Sequence, residues 1–306
     1  DAAASRDVTI NGVRYHFDDA QVESVTFDGG HGYDTVELRD SSGDDTLEAW
    51  PNEAVFTNGP GDDTLDFVVN VSGFEDLQAY AAAGGTDTAA LHGSANKDKL
   101  KSYEDFLRLR ASNSSYSLRA KDFDEVVGDG GPEGPDIAIF NGAADNDIFR
   151  YTGADNTAQI ESTGRDHRAV GFSSVIARAG GGNANLAYFT DTPGEEGRTD
   201  DVFYFKSHKT KLVSDTVEVT ARAFDEVHAT ASEGGFDVAR IYDTPFDDHF
   251  EFDGDTARLY RRIGSELELL YEAIAFEKVK TYRTTGDDTR DVRDHTFELI
   301  QNGWLD

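Results

Sequence analysis

The residues of this chain that could do chemistry are carboxylates, arginines, lysines and a few histidines. Carboxylate pairs stand at Asp44-Asp45, Asp62-Asp63, Asp200-Asp201, Asp247-Asp248 and Asp287-Asp288, and such pairs are able to serve acid and base catalysis. They recur at equivalent intervals, so turn structure is the reading taken for them. Cations gather in four other segments: Arg108, Arg110, Arg119 and Lys121; Arg165, His167 and Arg168; Lys206, His208, Lys209 and Lys211; and Arg258, Tyr260, Arg261 and Arg262. If equivalent segments stack, these side chains line one side as a basic stripe. An acidic polysaccharide suits such a stripe: cations neutralise the uronate carboxylate while a base removes the neighbouring proton. His167, His208 and Tyr260 are the candidates for proton transfer. Arg108, Arg110, Arg165, Arg168, Lys206, Lys209, Arg258 and Arg261 are the candidates for holding substrate. The competing reading pairs these cations with nearby acids, and it takes precedence because the chain has 60 of them. No nucleophile elbow, phosphate-binding loop, zinc-ligand spacing or dinucleotide fingerprint is present.

The elements that would position these groups are repeats. Phe74-Glu75-Asp76-Leu77, Phe123-Asp124-Glu125-Val126, Phe172-Ser173-Ser174-Val175, Phe224-Asp225-Glu226-Val227 and Phe276-Glu277-Lys278-Val279 follow one another at intervals of 49, 49, 52 and 52 residues. Val22-Glu23-Ser24-Val25 is an earlier partial copy. Asp34, Asp87, Asp136 and Asp237 each follow a Gly-containing turn and precede an alternating apolar run. Asp45, Asp98, Asp147, Asp201 and Asp248 each stand two residues before a large apolar side chain. Short apolar runs between 30 glycines suit strands and tight turns. Small residues follow the Phe-led step at Ala79, Gly128, Ala177, Ala229 and Thr281, as expected where coils lie directly on one another. The expected fold is therefore all-β, a right-handed β-helix or related β-solenoid of about five repeats of about 50 residues. A partial repeat occupies 1–27, the solenoid 28–290, and an apolar tail 291–306. Equal spacing predicts that the five Phe residues stand in one ladder. Trp50, Tyr188, Tyr204 and Trp304 are expected in the core or its caps.

With 28 Lys and Arg against 60 Asp and Glu, the formal charge is −32. That argues against binding nucleic acid. No run reaches the roughly 18 apolar residues of a membrane-spanning helix, so direct membrane insertion is not expected. Cysteine and methionine are absent, and the opening Asp1-Ala2-Ala3-Ala4-Ser5 is expected to be the mature end left by an export signal. The expected location is extracellular or at the cell surface. The motifs Gly84 to Leu91, Asp247 to Phe250 and Phe224 to Ala229 resemble the large exported repeat proteins of planctomycete-type bacteria, a likeness that implies export and repeat architecture and no catalytic residue. Gly29 to Val36 also resembles the nonapeptide of calcium-binding β-rolls, with a partial copy at Gly59 to Leu65. That likeness makes Asp34, Asp62 and Asp63 candidate ligands for Ca2+, while the turn reading of the same letters needs no cofactor.

The function expected on these grounds is a non-enzymatic structural or assembly protein of a surface layer, fibre, adhesin or matrix. Its expected partners are further copies of itself or cell-surface and matrix polymers. Val8, Ile10, Phe297, Leu299 and Trp304 are the candidates for an end-to-end joint. The alternative is a protein that binds or cleaves an acidic polysaccharide, as a lyase.

Overall fold

Alternating apolar and polar residues give strands with one inward and one outward face. The computed structural model describes residues 5–10, 13–18, 22–59, 67–131, 133–194 and 199–303. An opening hairpin pairs β1 (Ser5–Ile10) with β2 (Val13–Asp18). The first repeat holds β3 (Ser24–Asp28), β4 (Thr35–Arg39), β5 (Asp45–Trp50), β6 (Asn52–Asn58) and β7 (Phe67–Phe74). The second holds β8 (Asp76–Tyr80), β9 (Thr88–His92), β10 (Asp98–Ser102), β11 (Phe106–Ala111) and β12 (Ser117–Lys121). The third holds β13 (Glu125–Asp129), β14 (Ile137–Asn141), β15 (Ile148–Thr152), β16 (Thr157–Ser162) and β17 (Arg165–Val170). The fourth holds β18 (Ser174–Arg178), β19 (Leu186–Thr190), β20 (Thr199–Lys206), β21 (Lys209–Val213) and β22 (Glu218–Arg222). The fifth holds β23 (Glu226–Thr230), β24 (Phe236–Tyr242), β25 (Asp248–Gly254), β26 (Thr256–Ile263) and β27 (Glu266–Ile274). Then come β28 (Lys278–Tyr282), β29 (Thr289–His295) and β30 (Glu298–Asn302).

These strands build a β-solenoid. Two sheets face each other across one core. The first runs β3-β7-β6-β5-β9-β13-β17-β16-β15-β19-β23-β27-β26-β25-β29, and the second β4-β8-β12-β11-β10-β14-β18-β22-β21-β20-β24-β28-β30. Within a repeat, the Phe-led strand lies in one sheet and the next strand in the other. The last three return to the sheet of the Phe-led strand as an antiparallel meander. The chain thus crosses the core three times per repeat, an odd number, so successive repeats begin on opposite sheets.

This alternation corrects the single Phe ladder. Phe74, Phe172 and Phe276 lead into β8, β18 and β28 of the second sheet, and Phe123 and Phe224 into β13 and β23 of the first. Members of one series stand five strands apart, roughly 24 Å. Each of the five is preceded by a residue at positive φ, namely Gly73, Asp122, Gly171, Ala223 and Ala275. A left-handed corner is thus built into every repeat, even where alanine must adopt it.

The small inward residues behave as the stacking argument requires. Ala79, Ala177, Ala229 and Thr281 have no exposed surface. A Cβ on Gly128 would lie 1.9 Å from Leu100 Cδ1, so any side chain there would force Leu100 out of its place between the second and third repeats. Parallel pairing continues past 290: β29 joins β25 and β30 joins β28. Phe297 is buried against Phe252, and Leu299 packs on the core. Val8 and Ile10 lie in β1, apart from both large sheets, while Trp304 lies outside the described residues.

Candidate functional site

The corners of the solenoid account for most of the motif acids. Asp45, Asp98, Asp201 and Asp248 are fully buried, and each accepts hydrogen bonds from the turn preceding its own strand. The donors are the backbone N–H groups and hydroxyls of Ser41, Ser94, Thr192 and Thr244. The backbone N–H of each in turn donates to the Gly-turn acid of the following repeat: Asp45 to Asp87 at 2.8 Å, Asp98 to Asp136 at 2.5 Å, Asp201 to Asp237 at 3.0 Å and Asp248 to Asp288 at 3.0 Å. The Gly-turn residues are then capped by the acid after the next Phe, as Asp87 N–H donates to Asp124 and Asp237 N–H to Glu277. At two corners three acids thus form a relay, Asp45, Asp87 and Asp124 and again Asp201, Asp237 and Glu277, and at the others two acids do, satisfying backbone donors and tying each repeat to its neighbour.

The third repeat solves its corner differently. Ala143 stands where the others have Ser or Thr, and Asn185 replaces the Gly-turn acid, accepting from Asp147 N–H at 2.9 Å. Buried Arg165 donates to Asp147 at 2.9 Å and to the carbonyls of Tyr103 and Asn141. In the second repeat Tyr116 takes the corresponding place beside Asp98.

Two groups of carboxylates have the donor chemistry for a hard cation: Asp191, Asp201 and Asp237, and Asp243, Asp248 and Asp288, with ligand atoms within 4.8 Å of one another in each group. The same carboxylates already serve as caps. Asp191 accepts from Ser232 and Glu233 N–H, Asp243 from Thr284 N–H, and Asp288 from the Arg283 guanidinium. Asp34 lies in another corner, where its N–H donates to Glu75 and its Oδ2 is buried without a partner. Asp62 and Asp63 lie outside the described residues.

Burial holds these acids in their protonated form to unusually high pH: Asp87, Asp201 and Asp248 are pushed up to about 6 and Asp237 to about 7. Between about pH 4 and 7 the folded chain therefore binds more protons than the unfolded chain, and stability falls as pH rises through that window. The melting temperature is expected to be higher at pH 5 than at pH 8 by on the order of 5 °C. A calorimetric profile that is flat or rises over that range would contradict this account of the corners.

The proposed proton-transfer residues do not converge. His167 is buried between the sheets, in a core position matched by Leu118 and Val219 in neighbouring repeats. Its Nδ1 lies 2.8 Å from Ser102 Oγ on the opposite sheet. Desolvation pushes its pKa down to about 3, so it is neutral and sealed from substrate. His208 is an exposed turn residue at φ +58° between β20 and β21, and its carbonyl accepts the N–H of the left-handed corner Ala223. Tyr260 stands on the outside of the first sheet, donating to Glu251 at 3.2 Å.

The single basic stripe is likewise corrected, because alternate excursions lie on opposite sheets. Arg165, Arg168, Arg258 and Arg261 belong to the first sheet; Arg108, Arg110, Lys206 and Lys209 belong to the second. On the outside of the first sheet, cations are paired with acids: Arg168 with Glu125 and Asp166, Arg258 with Glu272, and Arg293 with Asp253. Arg261, at an exposed hairpin, pairs with Glu268.

The outside of the second sheet is different. Its register forms three outward rows across the strands. The central row contains Arg119, Arg108, Lys101, Lys211, Arg240 and Lys280. One flanking row contains Arg39, Lys121, Arg178, Arg222, Lys209 and Lys206, and the other Arg110, Lys99 and Lys278. Against these fifteen cations the three rows hold four acids, Glu37, Asp76, Glu218 and Glu298. The same face presents Tyr80, Phe106, Tyr204, Tyr242 and Tyr282, with Lys206 4.5 Å from the Tyr242 ring centre and Arg240 5.2 Å from that of Tyr204. Trp50, Tyr188 and Tyr204 are thus outward-facing rather than core residues; Trp50 stacks on His92 and Tyr188 on His228 at ring separations of 5.0 Å.

This fold and these two unlike faces define a two-sheet β-solenoid repeat protein. Comparison with protein-family models, with curated proteins and with solved structures found no match.

Proposed function

We propose that the chain is a non-enzymatic extracellular building block, a rigid solenoid module of a surface layer, fibre, adhesin or matrix. The corner relay carries this reading: the acids that recur in every repeat, which are also the residues best suited to chemistry, cap the backbone and bind repeat to repeat. The likeness to exported bacterial repeat proteins supports the location, since it rests on the residues that make the corners.

Rigidity is the testable property. The chain has no cysteine, so Asn113→Cys and Ser265→Cys place two spin labels on exposed turns of the second and fifth repeats. One narrow distance distribution is expected. A broad distribution would remove the rigid-module reading, as would release of an unsaturated, ultraviolet-absorbing product from polyuronates.

A further inference from the structure

We propose that the outer face of the second sheet binds an acidic polysaccharide, laid along the solenoid axis. This goes beyond the scaffold reading and does not depend on it.

The first support is charge segregation. This face carries fifteen of the chain's 28 lysines and arginines but four of its 60 acids. Arg39, Lys121, Lys211 and Lys278 have carboxylate partners; the other eleven make no ion pair among the described residues. In so acidic a chain, acids are available to every cation, yet here they are kept away.

The second support is the register. Like charges directly opposite one another on neighbouring strands destabilise a sheet. Here Arg108 faces both Arg119 and Lys101, Lys209 faces both Lys206 and Arg222, and Arg240 faces Lys280. The fold tolerates this repulsion in the free chain, and a polyanion would relieve it.

Geometry selects the kind of polyanion. From Arg119 to Lys280 the central row crosses nine strand spacings, roughly 43 Å, with outward residues about 4.8 Å apart. An extended sugar chain with an acid on each residue advances by about one such spacing per sugar. The aromatic rings beside the cations offer flat apolar surfaces to sugar C–H faces, and Tyr242 and Tyr282 stack at 4.4 Å to make a longer platform. Near one end, Arg108, Arg110 and Arg119 line a shallow cleft of about 230 Å³ with Tyr33, Ser114 and Asp76, three guanidinium groups against one carboxylate. Acid-rich corners bound the face on both sides. They repel a polyanion that strays from the axis.

The test measures binding of polygalacturonate, alginate and heparin by calorimetry at several salt concentrations, with neutral dextran as control. Saturable, salt-sensitive binding is expected for at least one acidic polymer and none for dextran. The combined variant Lys101→Gln, Arg108→Gln, Lys211→Gln and Arg240→Gln is expected to bind at least roughly tenfold more weakly. Arg150→Gln with Arg293→Gln, on the opposite sheet, should bind as the parent does. In the unaltered chain, polygalacturonate should protect Lys101, Lys211 and Lys280 from acetylation while leaving Lys97 reactive, a readout that does not require the variant to fold. Absence of binding at low salt, equal losses in both variants, or unchanged lysine reactivity would overturn the proposal. So would tighter binding to single-stranded DNA than to every polysaccharide, or self-association through this face without polymer binding.

Discussion

Replacing Arg165 by methionine is expected to lower the unfolding free energy by roughly 3–5 kcal/mol, the usual cost of breaking a buried ion pair from one side. Arg165 and Asp147 are both sealed from solvent, their side chains 2% and 0% exposed. Asp147 would keep backbone donors from Ala143 and Gly180, but would lose the one cation paired with it among the described residues. Other repeats manage without arginine because a Ser or Thr hydroxyl adds a donor to the same carboxylate. Adding Ala143→Ser to the methionine variant should therefore recover a measurable part of the loss, on the order of 1 kcal/mol. Urea melts of the parent, single and double variants read this directly. A loss below about 1 kcal/mol would show that the ion pair is not what holds the third corner.

The second large effect is expected at Phe149. Its side chain is fully buried and meets Phe140 across the core at 6.0 Å, Phe189 in the next repeat at 5.8 Å, and Phe224 at 6.0 Å. Phe149→Ala should cost roughly 3–5 kcal/mol, because the parallel strands around the ring cannot collapse into the space. Solenoid stability is close to a sum of repeats and their interfaces, so the damage should be local. Hydrogen exchange should speed up in β15, β19 and β23 while β5 and β9 stay protected. Uniform acceleration along the chain would instead mean that the solenoid opens as one unit.

Strand periodicity, repeat length and the stacking of small residues were legible because each depends on local alternation and spacing. The alternation of sheets was not, since sequence spacing does not reveal how often the chain crosses the core. Two expectations failed for that one reason, the single Phe ladder and the single basic stripe. Arg165 and His167 were misplaced for another. A strand reading Arg-Asp-His-Arg looks solvent-exposed, yet its parity puts the arginine and the histidine inside. Sequence reasoning named seven of the cations of this face, Arg108, Arg110, Arg119, Lys121, Lys206, Lys209 and Lys211, but not the face itself, which joins β10, β11 and β12 of the second repeat to β18 and β20 to β22 of the fourth across β14 of the third. The recurrence of Gly73, Asp122, Gly171, Ala223 and Ala275 just before each Phe was a readable signal for the left-handed corner. It passed unseen because only two of the five are glycine.

Three crossings per repeat give the rod a half-turn of screw symmetry with each unit, so the two flanks of the molecule are written by alternate units. Gain or loss of one unit would turn everything beyond it through half a revolution and break the cationic flank in two. Change by pairs would lengthen that flank without interruption. A rod of this kind has a natural quantum of length of two repeats, about a hundred residues and roughly 24 Å, and copy-number parity becomes a constraint on how such chains grow.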